Sequence, residues 1–165
     1  MSKKAAVIMG SDSDLPVMQE AIDKLKHFGI PVEVRIISAH RTPAAAEQFA
    51  AHAAENGFGV IIAGAGKAAH LGGVLAAYTT LPVIGVPIKT SMMGGLDSLL
   101  SIVQMPSGIP VATVGVNGAA NAGILAAQML AIGDAKLKAK LADFKEDMAK
   151  AVAAKDEKVR AQFEQ

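Results

Sequence analysis

The chain has 165 residues, 52% of them hydrophobic but only 4% aromatic, and a formal net charge of +1. That length suits one domain with a sizeable core, and scattered Lys and Arg at near-neutral charge offer no nucleic-acid surface. The absence of cysteine excludes a disulfide framework, a thiolate nucleophile and a Cys-ligated metal, and fits a reducing compartment.

Met1-Ser2-Lys3-Lys4 is basic, but the apolar run from Ala5 to Met9 is too short for the core of a signal peptide. No stretch reaches the ~18 apolar residues of a membrane span. The expectation is a soluble, cytoplasmic protein with no membrane partner: a single α/β domain over residues 1–165, with a core at about 5–132 and a C-terminal helix at about 135–165.

Ala5-Ala6-Val7-Ile8-Met9 is short and continuously apolar, the pattern of a strand covered on both faces. Gly10-Ser11-Asp12-Ser13-Asp14 follows. Then Leu15, Met18, Ile22, Leu25 and Phe28 recur at helical spacing up to Gly29. A strand, a Gly-Ser turn and a helix together present backbone N–H groups to a phosphate. Ser11 and Ser13 add hydroxyls. Asp14 suits either an N-cap or an acceptor for ribose hydroxyls.

From Pro31 to Ile37, apolar Val32, Val34 and Ile36 alternate with charged Glu33 and Arg35, as on a sheet edge. A second strand outside the first fits the flavodoxin-like order 2-1-3-4-5. Ser38-Ala39-His40-Arg41-Thr42-Pro43 comes next, at what would be the ligand-binding carboxyl edge of a parallel sheet. Thr42 and Pro43 read as N-cap and first residue of a helix reaching about Asn56, with Gly57 as its stop. A cap needs neither His40 nor Arg41. The guanidinium can hold phosphate or carboxylate through a fork of donors, and the imidazole can move a proton near neutrality. His52 and His27 read as ordinary helix residues.

Val60 to Ala63 predicts a third strand. It opens into Gly64-Ala65-Gly66-Lys67-Ala68-Ala69-His70-Leu71-Gly72-Gly73. The dinucleotide fingerprint is matched only formally, because no acid lies about 20 residues on. The glycines still let a ligand approach the backbone, with Lys67 and His70 placed to face it.

Pro82 to Pro87 predicts the fourth strand, followed by the flexible loop Thr90-Ser91-Met92-Met93-Gly94-Gly95. Leu96 to Gln104 predicts a helix, Met105-Pro106-Ser107-Gly108 a turn, and Ile109 to Val116 the fifth strand. The loop Gln104 to Gly108 is expected to cover the pocket of a neighbouring subunit. An Ala-rich helix runs to about Ile132, and a last helix runs from Ala135 toward Gln165. Its seam of Leu137, Leu141, Phe144, Met148 and Val152 suits another helix, and so a homo-oligomer.

Four strings together resemble the N5-carboxyaminoimidazole ribonucleotide mutase family of purine biosynthesis. They are Gly10-Ser11-Asp12-Ser13-Asp14, Ser38-Ala39-His40-Arg41-Thr42-Pro43, Gly64-Ala65-Gly66 with Ala68-Ala69-His70-Leu71, and Ser98-Leu99-Leu100-Ser101-Ile102-Val103-Gln104-Met105-Pro106. The resemblance spans roughly Ala5 to Ile132. It implies a three-layer α/β/α flavodoxin-like fold, a homo-octamer, and no cofactor or metal. It also implies transfer of CO2 from the exocyclic nitrogen of an aminoimidazole ribonucleotide to ring carbon C4. His40 matches the family's general acid/base. Ser11, Asp14 and Arg41 match its substrate-binding residues, and Ser38, Ala39, Gly66, Lys67 and His70 are expected to join them. Lys67 stands where Gly is expected in many members, and Gly72 where Pro is frequent.

Two other functions compete. Direct carboxylation of the aminoimidazole ribonucleotide belongs to a related class with a different pattern after Ser-Ala-His, so Arg41-Thr42-Pro43 favours the mutase. A flavodoxin-like module binding flavin or a phosphosugar would have little to stack on, since Trp is absent and Tyr78 is the single Tyr.

Overall fold

A parallel sheet runs through the centre of the computed structural model, which describes residues 3–163. Its strands are β1 (Lys4–Met9), β2 (Val32–Ile36), β3 (Phe58–Ala65), β4 (Val83–Pro87) and β5 (Ala112–Thr113), in the order β2-β1-β3-β4-β5. The helices are α1 (Leu15–His27), α2 (Pro43–His52), α3 (Leu71–Tyr78), α4 (Leu96–Val103), α5 (Ala119–Ala131) and α6 (Ala135–Arg160). This is the flavodoxin-like order expected from the charged second strand.

Period-2 alternation along β1 splits the core into two layers. Ala5, Val7 and Met9 pack with Met18, Leu25, Ala122 and Ala126 of α1 and α5. Ala6 and Ile8 pack with Ala46 and Ala50 of α2, Leu75 of α3 and Ile102 of α4. Residues of β1 are apolar on both faces because helices cover both. The β2 strand lies at the edge: Glu33 accepts from Lys4 Nζ at 3.0 Å and lies 3.5 Å from Arg35. Its apolar face is poorly covered, and Ile36 is 59% exposed.

Small residues let the layers close. A Cβ at Gly64 would overlap the Met18 thioether, and one at Gly85 would overlap Ile102. Between α1 and α5, a Cβ at Gly123 would lie 2.8 Å from Ala21 O and 3.2 Å from Ala21 Cα.

Three expectations need correction. The fifth strand pairs over Ala112–Thr113 only, not from Ile109 to Val116. Pro110 has no N–H to give a ladder. Beyond Thr113 the edge chain is tied by single bonds, among them Val114 N–H to Gly85 O (3.2 Å) and Asn117 N–H to Pro87 O (2.8 Å). Helix α2 ends at His52, four residues early. The chain there turns through Asn56 N–H to His52 O (3.0 Å), and Gly57 takes φ 82° to enter β3. Helix α6 ends at Arg160; the last residues of its expected span, 164 and 165, lie outside the described residues.

The seam on α6 divides. Leu137 is buried, and Leu141 and Phe144 pack on the domain's own core. Phe144 meets the Phe28 ring edge-on at 5.4 Å, and Lys140 Nζ donates to Phe28 O at 2.9 Å, closing the end of α1. Met148 and Val152 stay 46% and 65% exposed. No helix of the described residues is long and apolar enough to cross a membrane.

Candidate active site

Four strands deliver loops to one end of the sheet. A cavity of about 590 Å³ opens there, lined by Gly10 to Asp14 without Asp12, by Ser38 to Arg41, by Ala65 to Leu71 without Ala69, and by Ile88 to Ser91. Its position is the carboxyl edge, at the switch between β1 and β3, where the connections leave to opposite faces. The volume falls in the range of small-ligand pockets.

The first loop is a 3-10 turn, Asp12–Asp14, capped by Ser11. Ser13 N–H donates to Ser11 Oγ at 3.3 Å, and the two hydroxyls lie 2.9 Å apart. Asp14 occupies the N-cap position of α1, makes no side-chain cap bond and lines the cavity. Burial raises its pKa above the ordinary value, with the nearby Asp12 charge adding, while hydrogen bonds from the Ser11 backbone and the Ser13 side chain pull down.

The second loop is braced by its own hydroxyls. Thr42 Oγ1 accepts from Ser38 N–H and donates to Ser38 O, both at 3.0 Å, and Arg41 N–H donates to Ser38 Oγ at 3.1 Å. Thr42 therefore sits at the N-cap of α2 without capping it by its side chain. The hydroxyl closes the loop that carries Ala39, His40 and Arg41. Arg41 reaches back over β1, where its Nη2 donates to Gly10 O at 3.2 Å. That bond joins the first two loops and leaves the other guanidinium donors toward the cavity.

The third loop brings Gly66, Lys67 and His70. Lys67 holds φ 56°, the left-handed region that glycine enters at no steric cost and other residues seldom do. This is the position where the resemblance led one to expect Gly. Ser101 Oγ, from α4, approaches Lys67 O at 3.4 Å. His70 precedes α3, and its Nδ1 lies 2.8 Å from Nε2 of His40, with the rings edge to face at 4.9 Å.

Every expected site residue (Ser11, Asp14, Ser38, Ala39, His40, Arg41, Gly66, Lys67 and His70) lines this cavity. His27 and His52 do not. His27 packs against Phe28 and Phe144, and His52 Nδ1 lies 2.8 Å from Gln48 O on its own helix. Among the lining residues overlooked are Lys89, Thr90 and Ser91. Their signal was available, for they follow β4 as His40 follows β2. Lys89 N–H donates to Asn117 Oδ1 at 2.8 Å and the Thr90 hydroxyl to Asp97 at 2.6 Å, which pins this fourth loop. Among the described residues no group of three or more His, Asp or Glu is disposed to hold a metal ion. None of Gln104 to Gly108 lines the cavity.

Chemically the site offers one proton carrier, one forked cation and a set of hydroxyl and backbone donors. The comparisons with known proteins concern the chain as a whole. Residues 4–151 match the AIR carboxylase family model. An N5-carboxyaminoimidazole ribonucleotide mutase of Mycobacterium tuberculosis is 58% identical over 93% of this chain and 88% of that protein. One from Pyrococcus abyssi is 60% identical over 88% of this chain and 83% of that protein. A crystal structure of Treponema denticola PurE superimposes with a TM-score of 0.85 at 28% identity, covering 93% of this chain and 96% of that one. With the family model matched over residues 4–151 and relatives 58–60% identical over about nine-tenths of its length, the chain belongs to the AIR carboxylase family.

Proposed function

We propose that the protein is an N5-carboxyaminoimidazole ribonucleotide mutase, moving a carboxyl group from the exocyclic nitrogen to ring carbon C4 in purine biosynthesis. The observation that carries this reading is the presence of His40 and Arg41 on one cavity with Ser11 and Asp14. Relatives of that name at 58–60% identity support it.

In this reading His40, as imidazolium, gives a proton to the carbamate nitrogen as the N–C bond breaks and CO2 departs. C4 of the resulting aminoimidazole attacks CO2, and the proton then on C4 returns to His40. Protons balance over the cycle. A closed pocket keeps CO2 beside C4, so recapture is effectively intramolecular. Ala39, Ala68 and Leu71 line the cavity and supply an apolar wall for CO2. Arg41 holds the anionic part of the ribonucleotide. Ser11, Ser38 and Lys67 add donors, Asp14 accepts from ribose hydroxyls, and the backbone at Ala39 and Gly66 admits the ligand closely. His70 borders the same space. We assign the chain a single-domain, cytoplasmic role as a homo-octamer.

The test is direct. The purified protein is expected to isomerise the carbamate and not to carboxylate the aminoimidazole ribonucleotide from bicarbonate at a comparable rate. The variant His40→Asn keeps a polar side chain and loses the titrating group. It is expected to bind ribonucleotide and to lose ~10²–10⁴-fold in turnover, about 2.7–5.5 kcal/mol of barrier. A folded, ligand-binding Asn variant within about tenfold of the parent, far less than acid/base catalysis supplies, removes His40 as the proton carrier.

A further inference from the structure

We propose that His70 is a positioning residue for His40, accepting a hydrogen bond from His40 Nε2–H through its own Nδ1, so that the reacting proton travels on His40 Nδ1. The inference rests on the mutase reading for its catalytic consequence and on the geometry alone for the bond. The two nitrogens are 2.8 Å apart, so one of them carries the hydrogen and the other accepts it.

The direction of the bond follows from what a shuttle must do. His40 has to alternate between imidazole and imidazolium. Suppose His70 Nδ1–H were the donor. Neutral His40 would then carry its hydrogen on Nδ1, and the lone pair on Nε2 would be tied to His70. No basic nitrogen would be left for C4. With the bond reversed, Nε2 keeps its hydrogen in both charge states and the 2.8 Å contact survives the whole cycle. Nδ1 then alternates between N–H and lone pair, and among the described residues no protein group hydrogen-bonds to it. A histidine's free nitrogen is set by the bond its other nitrogen makes. In many enzymes a carboxylate does this work, and here a neutral imidazole does it.

The other charged groups around the cavity are Asp14 at the head of α1, Arg41 beside His40, Lys67 in the third loop and Lys89 after β4. Three of these four are cations. As an acceptor, His70 Nδ1 fixes the His40 ring without adding another positive charge.

The experiment uses the full chain with 15N-labelled histidine. In the ligand-free native protein with His40 neutral, the expected spectrum shows His40 with hydrogen on Nε2 and a bare Nδ1. In His70→Phe, which keeps a ring and loses the acceptor, the two tautomers should mix. Turnover should fall about 10–100-fold, the scale of a hydrogen bond to a charged group, with KM little changed. The high-pH limb of kcat/KM should move to lower pH. His70→Asn, whose amide oxygen can accept in place of Nδ1, should restore the tautomer and much of the rate. A native spectrum with hydrogen on Nδ1 overturns the proposal. So does a Phe variant with unchanged turnover and pH limb, or one that raises KM at unchanged turnover, the mark of a ligand contact. If the Phe variant fails to fold, the native and Asn spectra still decide. A native enzyme that cannot isomerise the carbamate removes the mutase reading and leaves the tautomer result standing.

Discussion

Asp14 is half-buried at the mouth of α1, and burial raises its carboxyl above the ordinary 3.8. The folded state therefore binds this proton more tightly than the unfolded state. Above the raised pKa the ionised carboxylate costs stability, and below pH 3.8 both states hold the proton and the cost disappears. Asp14→Asn is expected to melt higher than the parent at pH 7, and the two should converge as pH falls below that value. The same change should weaken ribonucleotide binding. Melting curves at pH 7 and pH 3, with a titration of ligand, check both halves; a destabilised Asn variant at pH 7 would contradict the burial argument. At this scale the sequence was informative because parallel sheets put ligand residues directly after strands, and His40, Arg41, Gly66 and Lys67 all follow one. The His40–His70 contact was not legible. It joins residues 30 apart in sequence, and no local pattern encodes a pairing made by two strands lying on either side of β1. The departure at Lys67 was legible as a difference from the resembled family, which often has Gly there, and became physical only with its φ of 56°.

Helix α5 approaches α1 as closely as it does because Gly123 has no side chain. A methyl there would meet the Ala21 carbonyl and Cα, which are backbone atoms and cannot swing aside. Gly123→Ala should raise helix propensity yet destabilise the fold by about 1–3 kcal/mol, the usual cost of overpacking. Chemical denaturation would show a lower midpoint at unchanged slope; an unchanged or higher midpoint would mean that the helices can part freely. The Ala-rich composition announced close helices, but not which residue sits at the crossing. Strands and helices were read well where the pattern was plain, a continuous apolar run in β1 and helical spacing in α1. They were misjudged where a terminus depends on tertiary bonding. The β5 strand is short because Pro110 interrupts the ladder, and α2 gives way after His52 to a turn held by Asn56 and Gly57.

Over the whole molecule the C-terminal helix does two things. Its first part, through Phe144, closes the domain's own core, while Met148 and Val152 continue the same seam into solvent. Val34 and Ile36 on the edge strand are exposed as well. Apolar surface at two separate places fits an oligomer with more than one kind of contact. Sedimentation at micromolar concentration is expected to show an assembly. Met148→Lys with Val152→Lys should shift it toward smaller species without unfolding the monomer. A native chain that sediments as a stable, active monomer would end this expectation. The loop from Gln104 to Gly108 belongs to the same question: it is absent from its own cavity and is expected beside that of a neighbour.

The parallel order also governs how the chain can be made. Strand β1 is complete at Met9, yet its inner neighbour β3 does not begin until Phe58. At ~5–20 residues per second, the intervening stretch of roughly 50 residues takes about 2–10 s to synthesise. Throughout that interval Ala5 to Met9 has no partner on its inner edge, and β2, the only strand available earlier, is the more polar one. A strand with five buried apolar residues thus leaves the ribosome before its inner partner and is paired on both sides only later.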